Sequence, residues 1–475
     1  MLNELEYQGK WWLPEAPEEI IDGTLKFIPV RGANLNLNGA FMSIEDINRG
    51  FIERDIVLGF SLDGKPLTLY RCSDVSKTLS APGYHVSEIR ASVLFVGVHF
   101  EKSDNIKFQS ISIRYSYLDE WINKTGFDRL QLLPDQNSKI YGIDMNYRLP
   151  EAYQVGSVNE FIIKINFSGP IVSYLPEKFS VAHETQISLK SLNEEAKSFE
   201  SYIKIFSLIE SFLSFAVMNP VYPIYIRGNR SSENSLIKIF YKLPDIPTSS
   251  ERLQPQDMLF TFNDISEELG TCFENWIENF ELLEPVNTLY FDTIYNPRIQ
   301  LKNSFLSLVQ AIESYHRRRY GGKYQTDTDY QSGIYKKLVE IVHSSSLDKT
   351  FKEALVNPDG IGGKLKYLNE YSLPKRLKDL HREHNNVASL LIPDRKRFAR
   401  DVADTRNYLT HYDETLRGKA KQGKELYKIT EQLKFLLEVC FLYELGLSEE
   451  KIKQLVERNQ RYMFLRAEYI VNQNN

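Results

Sequence analysis

The sequence predicts an α+β protein of several domains, with an antiparallel β-rich region of sandwich or barrel type followed by an all-α helical bundle. The chain has 475 residues, too many for one hydrophobic core, because single cores stop growing near about 250–300 residues. Apolar residues alternate in short runs over the first 190 residues and recur with helical spacing from Asn303 onward. These three observations define the predicted fold class.

The N-terminal 190 residues contain β-branched or alternating runs that are broken by Gly, Pro, Asn and Asp. A turn signal every eight to twelve residues, roughly, is typical of antiparallel sheets. We therefore predict a β-rich domain over residues 1–190. Its strand-like runs are residues 24–30, 56–61, 66–72, 93–100, 106–117 and 160–167.

The period of the pattern changes near residue 192. Residues 198–217 carry apolar side chains at the i, i+3, i+4 spacing of an amphipathic helix. Two strand-like runs and a further helical run follow, at residues 222–227, 236–241 and 266–283. The sequence leaves open whether this mixed middle segment, residues 191–296, completes the β-rich domain or links it to the helical domain.

Residues 297–475 predict a bundle of four or more helices. One apolar stripe begins the bundle and a second lies near its end, and both have the spacing of a buried helix face. The first stripe contains Phe305, Leu308, Val309 and Ile312, and the second contains Leu426, Ile429, Leu433, Leu436 and Cys440. Further helices are predicted at residues 335–343, 373–391 and 395–412.

Charge is distributed unevenly along the chain, although the formal net charge is only −5. Residues 297–475 contain 32 Lys and Arg against 23 Asp and Glu, a net charge of +9, and the preceding residues contain 26 against 40, a net charge of −14. A basic C-terminal part indicates a polyanionic partner. On charge alone, a simple difference in surface charge between two domains explains the asymmetry equally well.

Composition and motifs exclude several classes of protein. The N-terminus has no basic cluster before an apolar run, and no stretch reaches about 18 apolar residues, so we expect a cytoplasmic protein without a membrane anchor. Cys72, Cys272 and Cys440 lack metal-ligand spacing, and we expect neither a disulfide framework nor a metal site. No GxSxG, HExxH or GxGxxG motif occurs. We interpret the glycine-rich residues 357–363 as a turn between helices.

The strongest chemical signal is Arg406-Asn407-x-x-x-His411 on the predicted helix over residues 395–412. Metal-free RNA cleavage needs a group that moves protons near neutral pH, for which histidine is suited. It also needs a fixed positive charge on the phosphate in the transition state, which a guanidinium supplies. Arg376 and His381 have the same five-residue spacing, but only Arg406 is directly followed by Asn.

Helix geometry separates the two candidate catalytic residues. At about 100° per residue, Arg406 and His411 lie about 140° apart around a helix, whereas Asn407 and His411 lie about 40° apart. A site of this kind is completed more easily by a second copy across a two-fold axis than within one helix. We therefore expect an obligate dimer at the catalytic end.

These residues resemble those of the HEPN superfamily, which contains nucleotide-binding and RNA-cleaving helical domains. The motif lies late in a basic bundle whose first apolar helix carries Glu313. Residues 9–14 (GKWWLP), 23–29 (GTLKFIP) and 35–39 (LNLNG) resemble the opening of ApeA-type proteins, HEPN ribonucleases of bacterial anti-phage defence with an N-terminal β-rich domain. The resemblance implies a HEPN-like bundle over residues 297–475.

The resemblance implies a metal-independent endoribonuclease without a cofactor that cleaves RNA, with tRNA among its substrates, to halt growth during infection. In that interpretation His411 is the general acid and base, and Arg406 stabilises the transition state. Asn407 orients the pair, and Glu313 is a supporting polar group from the first helix. The acidic β-rich half would hold the nuclease inactive until a phage protein binds.

Basic residues near the motif fit an RNA partner, although a charged run is more often only a solvated face. We select seven of them as candidate RNA contacts, and Tyr315, Tyr320 and Tyr408 as candidates for stacking on unpaired bases. The seven are Arg317, Arg318, Arg319, Lys375, Arg376, Arg395 and Arg397.

Two other functions remain open from the sequence. In the first, a degenerate helical domain mediates oligomerisation while the β-rich half binds a ligand such as a carbohydrate or peptide. In the second, the helical domain binds nucleotides or is modified by a partner nucleotidyltransferase. For Glu313, Arg406 and His411, the alternative role is a structural ion pair or hydrogen bond.

Overall fold

The computed structural model describes residues 3–41, 52–78, 86–230, 236–244, 252–296, 298–356 and 364–471. The glycine-rich turn predicted at residues 357–363 and Pro297, the first residue of the predicted helical domain, lie outside the described residues. The chain divides into two compact units, Met1–Glu274 and Asn275–Asn475. The predicted order, a β-rich region followed by a helical region, is confirmed. The domain boundaries predicted at 190/191 and 296/297 stay predictions.

The N-terminal unit is built from strands, with few helices. Its strands are β1 (Leu5–Leu13), β2 (Ala16–Ile28), β3 (Gly32–Leu37), β4 (Glu53–Ser61), β5 (Pro66–Thr78), β6 (Val86–Val96), β7 (Lys107–Phe108), β8 (Ser110–Tyr115), β9 (Phe127–Pro134), β10 (Ile140–Tyr147), β11 (Tyr153–Val158), β12 (Phe161–Leu175), β13 (Lys178–Ser191), β14 (Lys197–Ser198), β15 (Pro223–Asn229) and β16 (Ile237–Tyr241). Its helices are α1 (Leu118–Ile122), α2 (Phe199–Val217) and α3 (Phe262–Ile265), and α4 (Leu269–Leu282) begins in this unit and ends in the next.

The first six strands form a closed antiparallel barrel in the order β6-β3-β2-β1-β4-β5, which closes because β5 also pairs with β6. Inward-facing residues alternate with outward-facing ones, so the predicted period of two produces one apolar interior. Trp11 is fully buried in it. Gly59 makes room for this ring, because a Cβ at Gly59 would lie 2.3 Å from Cε3 of Trp11.

The remaining large strands extend this sheet in the order β11-β12-β13-β8-β15-β16-β6. Strands β15 and β16, from the middle segment, lie between β8 and β6, so they complete the β-rich sheet. Helix α2 packs on the sheet, and two buried tyrosines fix it there. Tyr115 donates a hydrogen bond to the Phe206 carbonyl and Tyr202 donates one to the Phe108 carbonyl, both at 2.9 Å.

Two β-ribbons of this unit carry apolar side chains on exposed faces. In each ribbon the apolar residues are cross-strand partners, so they line one face together. An exposed two-stranded ribbon is only marginally stable by itself, and exposed apolar faces are typical of interaction surfaces. The pairs are Leu130–Met145 and Leu132–Ile143 in the β9–β10 ribbon, and Val172–Val181 and Tyr174–Phe179 at the end of the β12–β13 ribbon.

The C-terminal unit is helical throughout. Its helices are α5 (Glu284–Tyr295), α6 (Leu301–Tyr320), α7 (Asp327–Asp329), α8 (Lys336–Ser344), α9 (Lys349–Val356), α10 (Lys364–Tyr367), α11 (Leu373–Glu383), α12 (Asn385–Ala388), α13 (Arg395–His411), α14 (Gly423–Glu444), α15 (Glu449–Arg458) and α16 (Gln460–Val471). Both predicted apolar stripes are buried, on α6 and α14. No described helix combines the length and apolar character needed to cross a membrane.

The single helix predicted over residues 373–391 is wrong, because the chain leaves the helical conformation at His384. This residue has φ −108° and ψ 32° and separates α11 from α12. Its ring stacks on Tyr443 at a centroid distance of 4.2 Å. Since neither glycine nor proline marks the break, the apolar period alone does not locate it.

A buried arginine joins α6 to α11. The Arg376 side chain is 1% exposed, and its guanidinium lies 3.3 Å from Nδ1 of His316, which is also buried. Arginine only donates hydrogen bonds, so Nδ1 accepts and the neutral ring carries its proton on Nε2, which lies 3.9 Å from Asp379. Burial, followed by the charge of Arg376, lowers the pKa of His316 to about 4.

We predict that the helical unit loses stability as the pH falls from about 6.5 toward 4. The unfolded chain protonates His316 near pH 6.5, whereas the folded chain stays neutral until about pH 4. The unfolded state therefore binds more protons in this window, which costs up to about 1.4 kcal/mol per pH unit. Thermal unfolding followed by ellipticity at 222 nm measures it. His316→Gln should show a shallower pH dependence than the wild type, and equal slopes would contradict the prediction.

Candidate active site

Helix α13 places the predicted catalytic motif near its C-terminal end. The helix begins after Asp394, whose side chain accepts a hydrogen bond from the Arg397 backbone amide at 2.9 Å. It ends at His411 because Tyr412 adopts a left-handed conformation, with φ 51°. The predicted helix over residues 395–412 is therefore observed as Arg395–His411. Its packing face buries Phe398, Ala399, Val402, Thr405 and Leu409.

Arg406 forms an ion pair with Glu313 of α6. Its Nη2 atom lies 3.5 Å from a Glu313 carboxylate oxygen, and each side chain is 31% exposed. The Nε–H of Arg406 is buried and has no hydrogen-bond partner among the described residues. Glu313 therefore orients the guanidinium through Nη2, while the Nε–H remains an unused donor.

His411 and Asn407 lie on a different part of the α13 surface from Arg406. His411 is exposed and Asn407 is half-buried. Asp413 lies near His411, and hydrogen bonds from the Thr415 hydroxyl and backbone amide, together with the charge of His411, hold the pKa of Asp413 below its usual value. The motif did not include Asp413, although a carboxylate two residues after His411 is a signal that the sequence contains.

Arg406 and His411 project from different parts of α13. No hydrogen bond or ion pair joins these two described residues, and the continuous helix from Arg395 to His411 keeps them about 140° apart around its axis. One copy of the chain thus presents an arginine tied to α6 and a histidine at the helix end. The arrangement supplies both functional groups but does not bring them together.

The predicted RNA contacts differ in how much of each side chain is available. Arg317, Arg318 and Arg397 are exposed, and Arg317 pairs with Glu370 at 3.1 Å. Arg395 and Lys375 are half-buried. Arg319 forms an ion pair with Glu444, so it links α6 to α14.

Arg376 is enclosed rather than available at the surface. Its guanidinium donates to the carbonyl oxygens of Tyr371 and Gly322, at 3.0 and 3.4 Å. The second residue of this Arg–His pair, His381, is also buried, and its Nε2 lies 2.8 Å from the Ile392 carbonyl. The spacing shared with Arg406 and His411 therefore corresponds to a structural role here, and we leave Arg376 out of the proposed RNA contacts.

The candidate stacking residues also differ in accessibility. Tyr315 is buried, and its hydroxyl donates to Glu444 at 2.6 Å. Tyr320 is exposed and Tyr408 is half-buried. Within the described ranges, no group of three or more His, Cys, Asp or Glu side chains is arranged to hold a metal ion.

Comparison with known families identifies both parts of the chain. Residues 6–276 match ApeA N-terminal domain 1, and residues 306–451 match the Apea-like HEPN domain. No curated protein and no solved structure matches the chain. The HEPN match includes Glu313, Arg406 and His411. Because the first match covers more than half of the sequence, the chain belongs to the ApeA family of HEPN proteins of anti-phage defence.

Proposed function

We propose that this HEPN-type defence nuclease is a metal-independent endoribonuclease that cleaves tRNA in abortive infection. The observation that carries the proposal is the ion pair at 3.5 Å between Glu313 and Arg406, because Arg406 lies on the same helix as the exposed His411. An arginine held by a carboxylate keeps its remaining donors in one orientation, as a phosphate ligand requires.

In the proposed mechanism, His411 takes the proton from the ribose 2'-hydroxyl as the 2'-oxygen attacks the adjacent phosphorus. Arg406 binds the non-bridging oxygens, where negative charge increases in the transition state. The bond from phosphorus to the 5'-oxygen breaks, and a protonated histidine supplies the proton to that oxygen. The products are a 2',3'-cyclic phosphate and a 5'-hydroxyl. Asn407 orients the substrate or His411.

We propose that two copies of the HEPN domain form each active site. Within one chain, Arg406 and His411 project about 140° apart around α13, and no hydrogen bond joins them among the described residues. A two-fold axis beside this helix would place Arg406 of one copy opposite His411 of the other. The Nε–H of Arg406, which has no hydrogen-bond partner among the described residues, is consistent with an incomplete site in the single chain.

We propose that the N-terminal unit restrains the nuclease until a phage protein binds. Regulation is required because an unrestrained tRNA-cleaving enzyme would stop growth of its own host. The β9–β10 ribbon supports a protein partner, because Leu132 and Ile143 form a cross-strand pair on an exposed apolar face. We also propose that the chain divides into three domains, residues 1–190, 191–296 and 297–475.

The first prediction concerns the catalytic pair. With total bacterial tRNA in EDTA and phage lysate as the trigger, Arg406→Ala should reduce the cleavage rate by roughly 10²- to 10³-fold, because it removes the positive charge that stabilises the transition state. His411→Ala should reduce it by roughly 10²- to 10⁴-fold. Gel analysis of fragments with 2',3'-cyclic phosphate ends measures both.

The matched controls are Arg400→Ala, on the same helix, and His343→Ala, both of exposed side chains. These variants should cleave like the wild type, whereas a double substitution of Arg376 and His381 would disturb the core. Full cleavage by the Arg406→Ala protein would contradict the proposed site, whereas no cleavage by the wild type would favour a non-catalytic protein with a degenerate HEPN domain and a ligand-binding β-rich half.

The second prediction tests the shared site. Equal amounts of the Arg406→Ala and His411→Ala proteins are unfolded, refolded together and assayed on tRNA with the same phage lysate. If Arg406 and His411 act across the two-fold axis, a mixed dimer has one intact site, and the mixture should recover up to about one quarter of wild-type activity. A site within one chain predicts no recovery. Wild type carried through the same refolding is the control for lost protein.

The third prediction concerns the trigger. In phage-infected cells, Leu132→Asp with Ile143→Asp should abolish tRNA fragments detected by northern blot, because charges on the apolar face oppose burial against a protein. Arg129→Ala with Asp144→Ala removes an exposed ion pair at 2.9 Å on the same ribbon and should leave the fragments unchanged. Equal fragments in both variants would exclude this ribbon as the trigger site.

A further inference from the structure

Three tyrosines lie together where α6 ends, and we call Tyr320, Tyr324 and Tyr371 the tyrosine platform. The rings of Tyr324 and Tyr371 are 4.7 Å apart between centroids, and His316 lies between Tyr371 and Tyr320, at 6.0 and 5.1 Å. Tyr324 is 61% exposed and Tyr320 is 47% exposed. Large aromatic rings therefore face solvent beside a buried histidine.

Two distant chain segments hold the platform through backbone hydrogen bonds. The Tyr324 amide donates to the Asn369 carbonyl at 2.9 Å, and the Tyr371 amide donates to the Gly322 carbonyl at 2.8 Å. The side chain of Asn369, itself buried, hydrogen-bonds the amide and the carbonyl of Gln325, at 3.0 and 2.9 Å. These contacts fix the backbone that carries the exposed Tyr324 and the half-buried Tyr371 before any ligand binds.

The buried guanidinium of Arg376 supports the same junction from below. It donates to the carbonyls of Tyr371 and Gly322. Gly322 has φ 75°, and a Cβ there would lie 2.2 Å from Nη1 of Arg376, so only glycine allows the guanidinium to approach this turn. The platform is thus a constructed surface rather than a chance cluster of side chains.

The platform begins close to the candidate active site. Tyr320 follows Glu313 by seven residues on α6, which is about two turns or about 10 Å along the same helix face. Burial lowers the pKa of Arg376, and the negative charge of Glu313 opposes this shift, so the Glu313 carboxylate lies near the platform support. A strand of RNA held at Arg406 would therefore pass the platform within a short distance.

The charges around the rings indicate which ligand they accept. The Lys375 ammonium lies 4.1 Å from the centroid of Tyr371, so this ring already has a cation on its face, and a cationic ligand would be repelled. Arg317 is 61% exposed and pairs with Glu370. It can turn from Glu370 to a phosphate, because Glu370 would still have a second cation, Arg376, at 3.8 Å. An anionic ligand with flat aromatic groups fits both features.

We propose that the tyrosine platform stacks an unpaired base of the RNA substrate close to the cleaved phosphodiester, with Arg317 on an adjacent phosphate. This inference rests on the proposed ribonuclease function and adds a substrate class to it, namely single-stranded RNA or an RNA loop. Stacking on an aromatic ring tolerates any base, because every base has a flat π-face. The platform therefore selects unpaired structure rather than sequence.

The test uses the full-length His411→Ala protein, which binds without cleaving, and a single-stranded oligoribonucleotide that contains 2-aminopurine. Stacking on a tyrosine should quench the fluorescence of this base. Adding Tyr324→Ala should weaken binding by roughly 5- to 150-fold and remove the quenching, whereas Tyr324→Phe should retain both. An abasic nucleotide at the same position should weaken binding to the parent but not to the Tyr324→Ala protein.

Tyr174→Ala, a change at a 77% exposed tyrosine of the N-terminal unit, is the matched control and should bind like the parent. If the Tyr324→Ala protein keeps its affinity and quenching and the wild type cleaves tRNA, the platform proposal is overturned but the proposed ribonuclease function is not. Failure of the parent to bind RNA, together with no cleavage by the wild type, would overturn the proposed function and the platform with it.

Discussion

The buried guanidinium of Arg376 is the interaction on which the geometry of the candidate site depends. Burying a charged group costs several kcal/mol, roughly, unless its hydrogen bonds are satisfied. Arg376 meets this cost with two backbone carbonyls and a neutral His316. These partners come from the end of α6, the following turn and the segment before α11. One side chain therefore fixes α6, which carries Glu313, relative to the tyrosine platform.

The alignment of helices follows from this constraint. With α6 fixed, Glu313 is presented to α13, and Arg406 pairs with it. The pair is half-exposed, so its net contribution to stability is small. Its effect is to orient the guanidinium, which matters more for binding a phosphate than for folding. His411 has no comparable anchor, because the helix ends at that residue.

Periodicity predicted the fold class from the sequence because burial repeats every two residues in strands and every 3.6 in helices. It predicted α2 and α13 to within one or two residues at either end, and it identified the buried stripe that begins with Phe305. It did not predict closure of the barrel, since the β1–β4 and β3–β6 pairings join residues 46 to 58 positions apart without a local pattern. The break at His384, whose ring stacks on Tyr443, was not predicted either, because neither glycine nor proline marks it.

The sequence predicted the residue types of the candidate site but not which residues they contact. The motif located Arg406 and His411, and the resemblance to HEPN domains added Glu313, but neither indicated that Arg376 is buried. Charge counting treats every arginine alike, whereas Arg319 and Arg376 donate to acceptors that lie 40 to 125 positions away or in the nearby segment before α11.

The net charge of +9 over residues 297–475 therefore overstates the positive surface near the motif. Of the selected cations, Arg317, Lys375 and Arg397 each have a carboxylate within 4 Å. Charge neutralised in this way gives weak non-specific attraction to a polyanion. Affinity for RNA would then depend more on shape and on base stacking, as is common for unpaired RNA. The exposed tyrosine rings at the end of α6 would supply this stacking, which the paired cations do not provide.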